Sequence, residues 1–70
     1  MRLIIKEYDY ALYEDENNEL WIEVLCGSIG MYEVLVKLNP NEIKQYKKDK
    51  SFLQNLAWNI SRDPEKFENR

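Results

Sequence analysis

Apolar and polar residues alternate over three stretches in the first half of the chain, which is the pattern of half-buried β-strands. Each stretch is rich in aromatic and β-branched residues, which favour strands. Asn17 and Asn18 separate the first two stretches, and residues 27–30 separate the second from the third. Connections this short predict an antiparallel meander. We place the strands at about residues 2–13, 19–26 and 31–38.

The length of the second loop follows from the residues that flank it. A three-residue loop over residues 28–30 puts Val24 opposite Val34, and the apolar residues of both strands then share one face. A two-residue loop would put Val24 opposite Glu33 and mix the two faces, because a one-residue slip reverses every side chain. We therefore expect the odd loop, with Gly30 in the left-handed conformation of a bulged turn.

The first hairpin requires the same parity. An odd loop around Asn17 and Asn18 places Tyr10 and Leu12 on the apolar face of the sheet, whereas a two-residue turn would bury the alternate residues of that strand. We therefore favour an odd loop here as well.

Start signals for two helices appear in the second half of the chain. Asn39 precedes Pro40, with Glu42 three residues after the asparagine, which is the arrangement of a capping box. Ser51 and Gln54 have the same spacing. The signals predict two helices with a break between them, at about residues 40–49 and 52–62. One continuous helix is the alternative.

The second helix carries an apolar stripe, and one face of the sheet is apolar too, so each can cover the other. Asp63 and Pro64 predict a last short turn at about residues 64–69. We expect one α+β domain over residues 1–70 with two layers. In it, two C-terminal helices cover one face of a three-stranded antiparallel meander, in the order βββαα. The stripe consists of Phe52, Leu53, Leu56, Ala57 and Ile60.

The other face of the sheet is not fully polar. The register above lets four apolar side chains on this face form a continuous patch, and such a patch usually marks an interaction site. The alternative is that Leu3 and Ile5, or Phe67, fold over it. Trp58 also points away from the apolar stripe of its helix, either as a binding anchor or packed against the first helix or Phe67. The patch consists of Trp21, Leu25, Met31 and Leu35.

Charge is distributed unevenly along the chain. The net charge is -3, but residues 1–36 carry two basic and eight acidic side chains, and residues 37–70 carry eight basic and five acidic ones. The simpler interpretation, which we favour, is that both halves are solvated and attract each other weakly; the alternative is an acidic strand surface that faces a basic partner and steers its association. The candidate acidic surface is the first hairpin, with Glu14, Asp15, Glu16 and Glu19.

Composition argues against catalysis. The chain has no histidine and one cysteine, which leaves neither the commonest general base nor a pair of thiols with metal-ligand spacing. We therefore expect no enzyme activity, no cofactor and no metal. No secretion signal or membrane-spanning run is visible, which favours a cytoplasmic protein without membrane contact.

The leading hypothesis is a small protein that works by binding another protein. In size, acidity and lack of chemistry the chain is similar to small bacterial immunity and antitoxin proteins, which neutralise a basic toxin. That similarity is one of class and rests on no shared motif. The first alternative is a structural homodimer or accessory subunit. The second is a weak nucleic-acid or ligand-binding regulator, disfavoured because Lys44, Lys47 and Lys48 are too few for a phosphate-binding surface.

Overall fold

The computed structural model describes residues 1–26 and 32–68. Within these ranges the chain forms an antiparallel sheet followed by a helical layer, which is an α+β fold. Neighbouring strands in the chain are neighbours in the sheet. The strands are β1 (Arg2–Lys6), β2 (Tyr10–Glu14), β3 (Leu20–Cys26) and β4 (Tyr32–Lys37), and the helices are α1 (Pro40–Lys48), α2 (Phe52–Arg62) and α3 (Glu65–Glu68).

The stretch predicted as one strand over residues 2–13 is two strands, so the described sheet has four strands rather than three. The chain reverses at Tyr8 and Asp9, where the Glu7 amide donates to the Tyr10 carbonyl at 2.9 Å. The alternation of apolar and polar residues continues through this turn, and no glycine or proline marks it. The sequence pattern therefore concealed a hairpin, whose tip leaves Tyr8 fully exposed.

The register between β3 and β4 confirms the prediction of an odd loop. Val24 pairs with Val34, and Ile22 pairs with Val36. These residues lie on the face of the sheet that the helices cover, which we call the inner face; the opposite one is the outer face. The expected left-handed Gly30 lies outside the described residues.

The hairpin of β2 and β3 also has an odd loop. Leu12 pairs with Ile22 on the inner face. Beyond the strands, the Asp15 amide donates to the Glu19 carbonyl at 2.9 Å, and this bond closes a three-residue loop. Asn18 has φ of 63°, the left-handed conformation that asparagine tolerates better than most residues. An asparagine is therefore suited to this turn, because the turn requires a residue in the left-handed conformation at position 18.

An irregularity in β1 separates the two apolar side chains that were expected to act together. Leu3 pairs with Tyr13 and Ile5 pairs with Leu12, with a shift of register between them. Alternate residues of a strand point to opposite faces, so the shift leaves Leu3 on the outer face and Ile5 on the inner face. Ile5 packs against the core, whereas Leu3 is 51% exposed.

The core lies between the inner face and the helices. Leu12, Ile22, Leu53 and Ile60 are completely buried in it. Helix α2 lies against β3, and α3 lies against β4. Phe67 of α3 packs against the same core. The apolar stripe of the second helix therefore covers the sheet as the sequence predicts.

The first helix begins with the predicted capping box. The Asn39 side chain accepts from the Glu42 amide at 2.8 Å, and the Glu42 carboxylate accepts from the Asn39 amide at 2.9 Å. Pro40 occupies the first turn, where its missing N–H leaves no bond unmade. The start of α1 is thus fixed by local chemistry alone.

The second capping box predicted from Ser51 and Gln54 is wrong. Ser51 makes no capping bond; its hydroxyl instead donates to the Asp49 carboxylate at 2.8 Å. The Gln54 amide donates to the Asp9 carboxylate at 3.0 Å. Asp49 lies only two residues before the serine and competes for its hydroxyl. The break between the helices is present nonetheless, because the Asp49 carboxylate also holds the Ser51 amide.

We expect Asn39→Ala to lower the free energy of unfolding by about 1 kcal/mol, since the substitution leaves a helix-end donor without its partner. Ser51→Ala is the matched control and should change it by less than about 0.5 kcal/mol. Urea titration followed by circular dichroism measures both values. Equal losses for the two variants would contradict the assignment of the caps.

Candidate protein interface

The outer face is built by alternate residues of all four described strands. Its first row runs across the sheet at the end nearest the loop that connects β2 and β3. The next row lies one pleat further along, and Leu25 and Glu33 follow as a pair. The first row is Leu3, Tyr13, Trp21 and Lys37, and the second is Lys6, Ala11, Glu23 and Leu35.

Neither segment expected to cover this face packs over it. Ile5 and Phe67 both pack against the core on the inner side, and Leu3 belongs to the outer face itself. Leu25 and Leu35 are 38% and 43% exposed. The outer face thus carries accessible apolar surface in the part of the chain that the structure describes.

The structure brings three of the four predicted patch residues onto one face. Trp21 and Leu25 lie on β3, and Leu35 lies beside them on β4. Met31 lies outside the described residues. Trp58 is 63% exposed on α2, in the helical layer, and so does not join this patch.

Most of the predicted acidic surface is engaged within the protein. Glu14 forms an ion pair with Arg2, and Glu19 forms one with Lys37 at 2.9 Å. Among the described residues, Glu16 at the tip makes no such contact. The hairpin therefore offers less free negative charge than its sequence suggests.

Asp15 is the most highly bonded of these acids. One carboxylate oxygen accepts from the backbone amides of Asn17 and Glu19, at 2.8 and 2.9 Å. The other accepts from the indole N–H of Trp21 at 2.9 Å. The carboxylate therefore joins the loop to an aromatic side chain on the outer face.

Negative charge without such neutralisation lies at the other end of the outer face. A depression of about 70 Å³ opens there beside Leu25. Four acidic residues and one lysine line it, a formal excess of three negative charges, and the carboxylate of Asp9 among them accepts the hydrogen bond from Gln54. We call the depression the acidic notch, and its charged residues are Lys6, Glu7, Asp9, Glu23 and Glu33.

Sequence reasoning missed the acidic notch for two reasons. The strand register puts Glu23 and Glu33 on the same face as Leu25, but the acidic residues are denser along the sequence in the hairpin. Glu7 and Asp9 join them only because β1 turns back onto β2, and that turn was not foreseen.

The Tyr13 hydroxyl lies close to an acidic side chain of the outer face. It donates to the Glu23 carboxylate at 3.5 Å, a long bond. Partial desolvation, the negative charge of Glu23 and that bond all raise the pKa of Tyr13, and the charge of Glu33 raises it further. The Tyr13 side chain therefore runs toward Glu23 of the second row, beside Ala11, which is almost fully buried although it belongs to the outer face.

The described residues contain neither a cluster of metal-ligating side chains nor a membrane-spanning helix. Over residues 1–26 and 32–68, no group of three or more acidic or cysteine side chains is placed to hold a metal ion. None of the helices in this part of the chain has the length and apolar character needed to cross a bilayer.

Comparison with protein-family models, with curated proteins and with solved structures finds no match for this chain. The function therefore has to be argued from the outer face and its charges.

The bond between Asp15 and Trp21 should be visible in a pH titration. The Trp21 N–H and then the Glu19 amide lower the pKa of Asp15 below its ordinary value of 3.8; partial desolvation opposes this, and the Asn17 amide and Lys37 add to the lowering. A carboxyl group with a lowered pKa stabilises the fold above its unfolded pKa, and the contribution disappears as the pH falls through the folded value.

In a Trp58→Phe variant, which leaves Trp21 as the sole tryptophan, we expect a transition in Trp21 fluorescence whose midpoint lies below pH 3.8. Adding Asp15→Asn should abolish that transition. A transition that persists in the Asn variant would assign it to another carboxyl group.

Proposed function

We propose that this chain is a non-catalytic protein-binding module whose outer face binds a basic surface of another protein. One observation carries the proposal: the accessible apolar residues Leu25 and Leu35 lie directly beside the acidic notch. Apolar area supplies binding free energy, and unneutralised charge at its border selects the partner and speeds encounter.

The size of the acidic notch supports a cationic side chain of a protein rather than a free small molecule. Its volume of about 70 Å³ is far below the several hundred Å³ typical of small-molecule pockets. It suffices for the ammonium or guanidinium group of a lysine or arginine. The aliphatic stem of such a side chain would lie against Leu25, as long basic side chains do on apolar surface.

Charge argues for a different protein rather than a second copy. A two-fold contact through the outer face would bring the same patch of both copies together. If the axis passes near the acidic notch, the negative charge of Glu23 and Glu33 would meet its own copy, and like charges across an interface oppose association. A basic partner satisfies both the charge and the apolar area.

The most concrete version of the proposal is an inhibitor. A protein that covers a basic functional surface of an enzyme or toxin needs shape and charge but no chemistry of its own. That role agrees with a chain that lacks histidine and has one cysteine, and it is the role of the immunity and antitoxin proteins that this chain resembles in class.

The test uses immobilised wild-type protein and two charge reversals as baits in a lysate of the source organism. Glu33→Lys alters the outer face, and Glu65→Lys makes the same change of charge on an exposed site of α3. We expect the wild-type and Glu65→Lys baits to retain one basic protein, and Glu33→Lys to bind the purified protein at least about tenfold more weakly in calorimetry.

Retention that is equal on all three baits, or the absence of any stoichiometric basic partner, would refute the proposal. Light scattering on the wild-type protein completes the test. A stable dimer that Glu33→Lys tightens and Glu65→Lys leaves unchanged would assign the outer face to a second copy instead.

A further inference from the structure

The proposed function does not by itself explain why the Asp15 carboxylate is hydrogen-bonded to groups of its own chain. The residue lies at the acidic hairpin, where a free carboxylate would add to the attraction for a basic partner. Instead, its two oxygens accept three hydrogen bonds from the protein, two from backbone amides and one from Trp21.

The two oxygens have separable tasks. The oxygen that accepts from the Asn17 and Glu19 amides stabilises the turn, as Asp and Asn side chains commonly do. The loop is already closed by backbone bonds from Asp15 to Glu19 and from Asn18 to Asp15. The turn therefore does not require the second oxygen, whose bonded partner is the Trp21 indole.

Trp21 has the residue type and the position of a binding anchor, because tryptophan is enriched among the residues that contribute most to binding. It lies half-buried in the first row of the outer face, between Tyr13 and Lys37. Lys37 is itself held by its ion pair with Glu19. The indole thus has a neighbouring side chain on each adjacent strand. Its N–H donates to the Asp15 carboxylate in the loop at 2.9 Å.

Holding the indole in advance has two consequences for binding. A side chain that is already ordered loses less conformational entropy when a partner covers it. An N–H that already has an acceptor can be buried without leaving an unsatisfied donor. Both effects favour the bound state without any contact between Asp15 and the partner.

We infer that Asp15 is a positioning residue that fixes the indole of Trp21 on the outer face, so that the partner meets a preorganised aromatic anchor. The inference rests on the proposed function, and it removes Asp15 from the set of acids that contact the partner. The acidic notch at the opposite end of the outer face then carries the charge recognition.

Asp15→Asn separates the two tasks of the carboxylate. An asparagine amide oxygen can still accept from the Asn17 and Glu19 amides, but its NH₂ group cannot accept a bond from the indole N–H. Trp21→Phe removes the same bond from the other side. If the bond acts as inferred, Asp15→Asn should have no further effect on affinity in the Trp21→Phe background, as a double-mutant cycle would show.

The first readout needs no partner. The chain has two tryptophans, so its nitrogen-15 spectrum contains two indole signals. We expect the Trp21 N–H to be rigid and to exchange slowly with solvent, and the exposed Trp58 to exchange faster. Asp15→Asn should raise the mobility and exchange rate of the Trp21 N–H, while the amide signals of Asn17 and Glu19 stay in place.

The second readout is affinity for the purified basic protein that the wild-type bait retains. Asp15→Asn should weaken binding about three- to tenfold, the cost of ordering one large side chain. An unchanged Trp21 signal in Asp15→Asn, or an affinity loss that persists in the Trp21→Phe background, would overturn the inference. If no basic protein is retained, the proposed function fails, and the indole signal alone decides whether Asp15 positions Trp21.

Discussion

Leu12→Ala is expected to lower the free energy of unfolding by about 2–5 kcal/mol. Leu12 is completely buried, and on the inner face it is paired with Ile5 on one side and Ile22 on the other. Truncation removes the apolar contact and leaves a cavity that paired strands on both sides cannot close. A chain of 70 residues has roughly 4–10 kcal/mol to lose, so the variant loses a large fraction of its stability.

Leu35→Ala is the matched control, because it makes the same truncation on another strand at a side chain that is 43% exposed. It should cost less than about 1 kcal/mol. Urea unfolding followed by circular dichroism gives both values. Ile22→Val, expected to cost about 0.5–1.5 kcal/mol, provides a milder measurement if Leu12→Ala does not fold. Equal losses at Leu12 and Leu35 would contradict the assignment of inner and outer faces.

The assignment of residues to the inner and outer faces is one part of the fold that could be predicted from the sequence. The pairing of Val24 with Val34 and the shared face of Leu12 and Ile22 could be predicted, because a shift of one residue would have moved one strand's apolar side chains to the wrong face. The start of α1 could be predicted for a different reason: the capping box is a local arrangement of Asn39 and Glu42.

Prediction failed where other side chains compete for the same groups, as Asp49 does for the Ser51 hydroxyl. Gln54 donates to Asp9, far away in sequence, and the second capping box is lost. The hairpin of β1 and β2 was missed because periodicity alone cannot distinguish a long strand from two short strands with a two-residue turn. The shift of register between Leu3 and Ile5 has no sequence signal that we recognise.

The candidate site was predicted in its apolar part and not in its charges. Trp21, Leu25 and Leu35 share the outer face because alternation determines it. Which acids remain unneutralised depends on ion pairs, such as that of Glu19 with Lys37, that form only in the folded sheet. Counting charges along the chain therefore emphasised the hairpin, whereas the structure emphasises the acidic notch.

Leu35→Lys is expected to weaken partner binding strongly and to leave the fold intact. Leu35 is exposed on β4, an edge strand of the described sheet, and lysine is well tolerated on edge strands. The substitution removes apolar contact area next to Glu23, its partner across the strands. It also places a positive charge where a basic partner must approach. Loss of a central contact together with like-charge repulsion should weaken binding at least about thirtyfold.

Trp58→Lys is the control for this variant, because it replaces an exposed apolar side chain by the same charge, but in the helical layer. It should change the affinity less than about threefold, since its added charge lies away from the interface. Thermal unfolding of both variants separates binding from folding. If Leu35→Lys fails to fold and the wild-type protein is a dimer by light scattering, the outer face is an obligate contact between two copies. If Trp58→Lys is the variant that loses the partner, recognition lies on α2 and the outer face has another role.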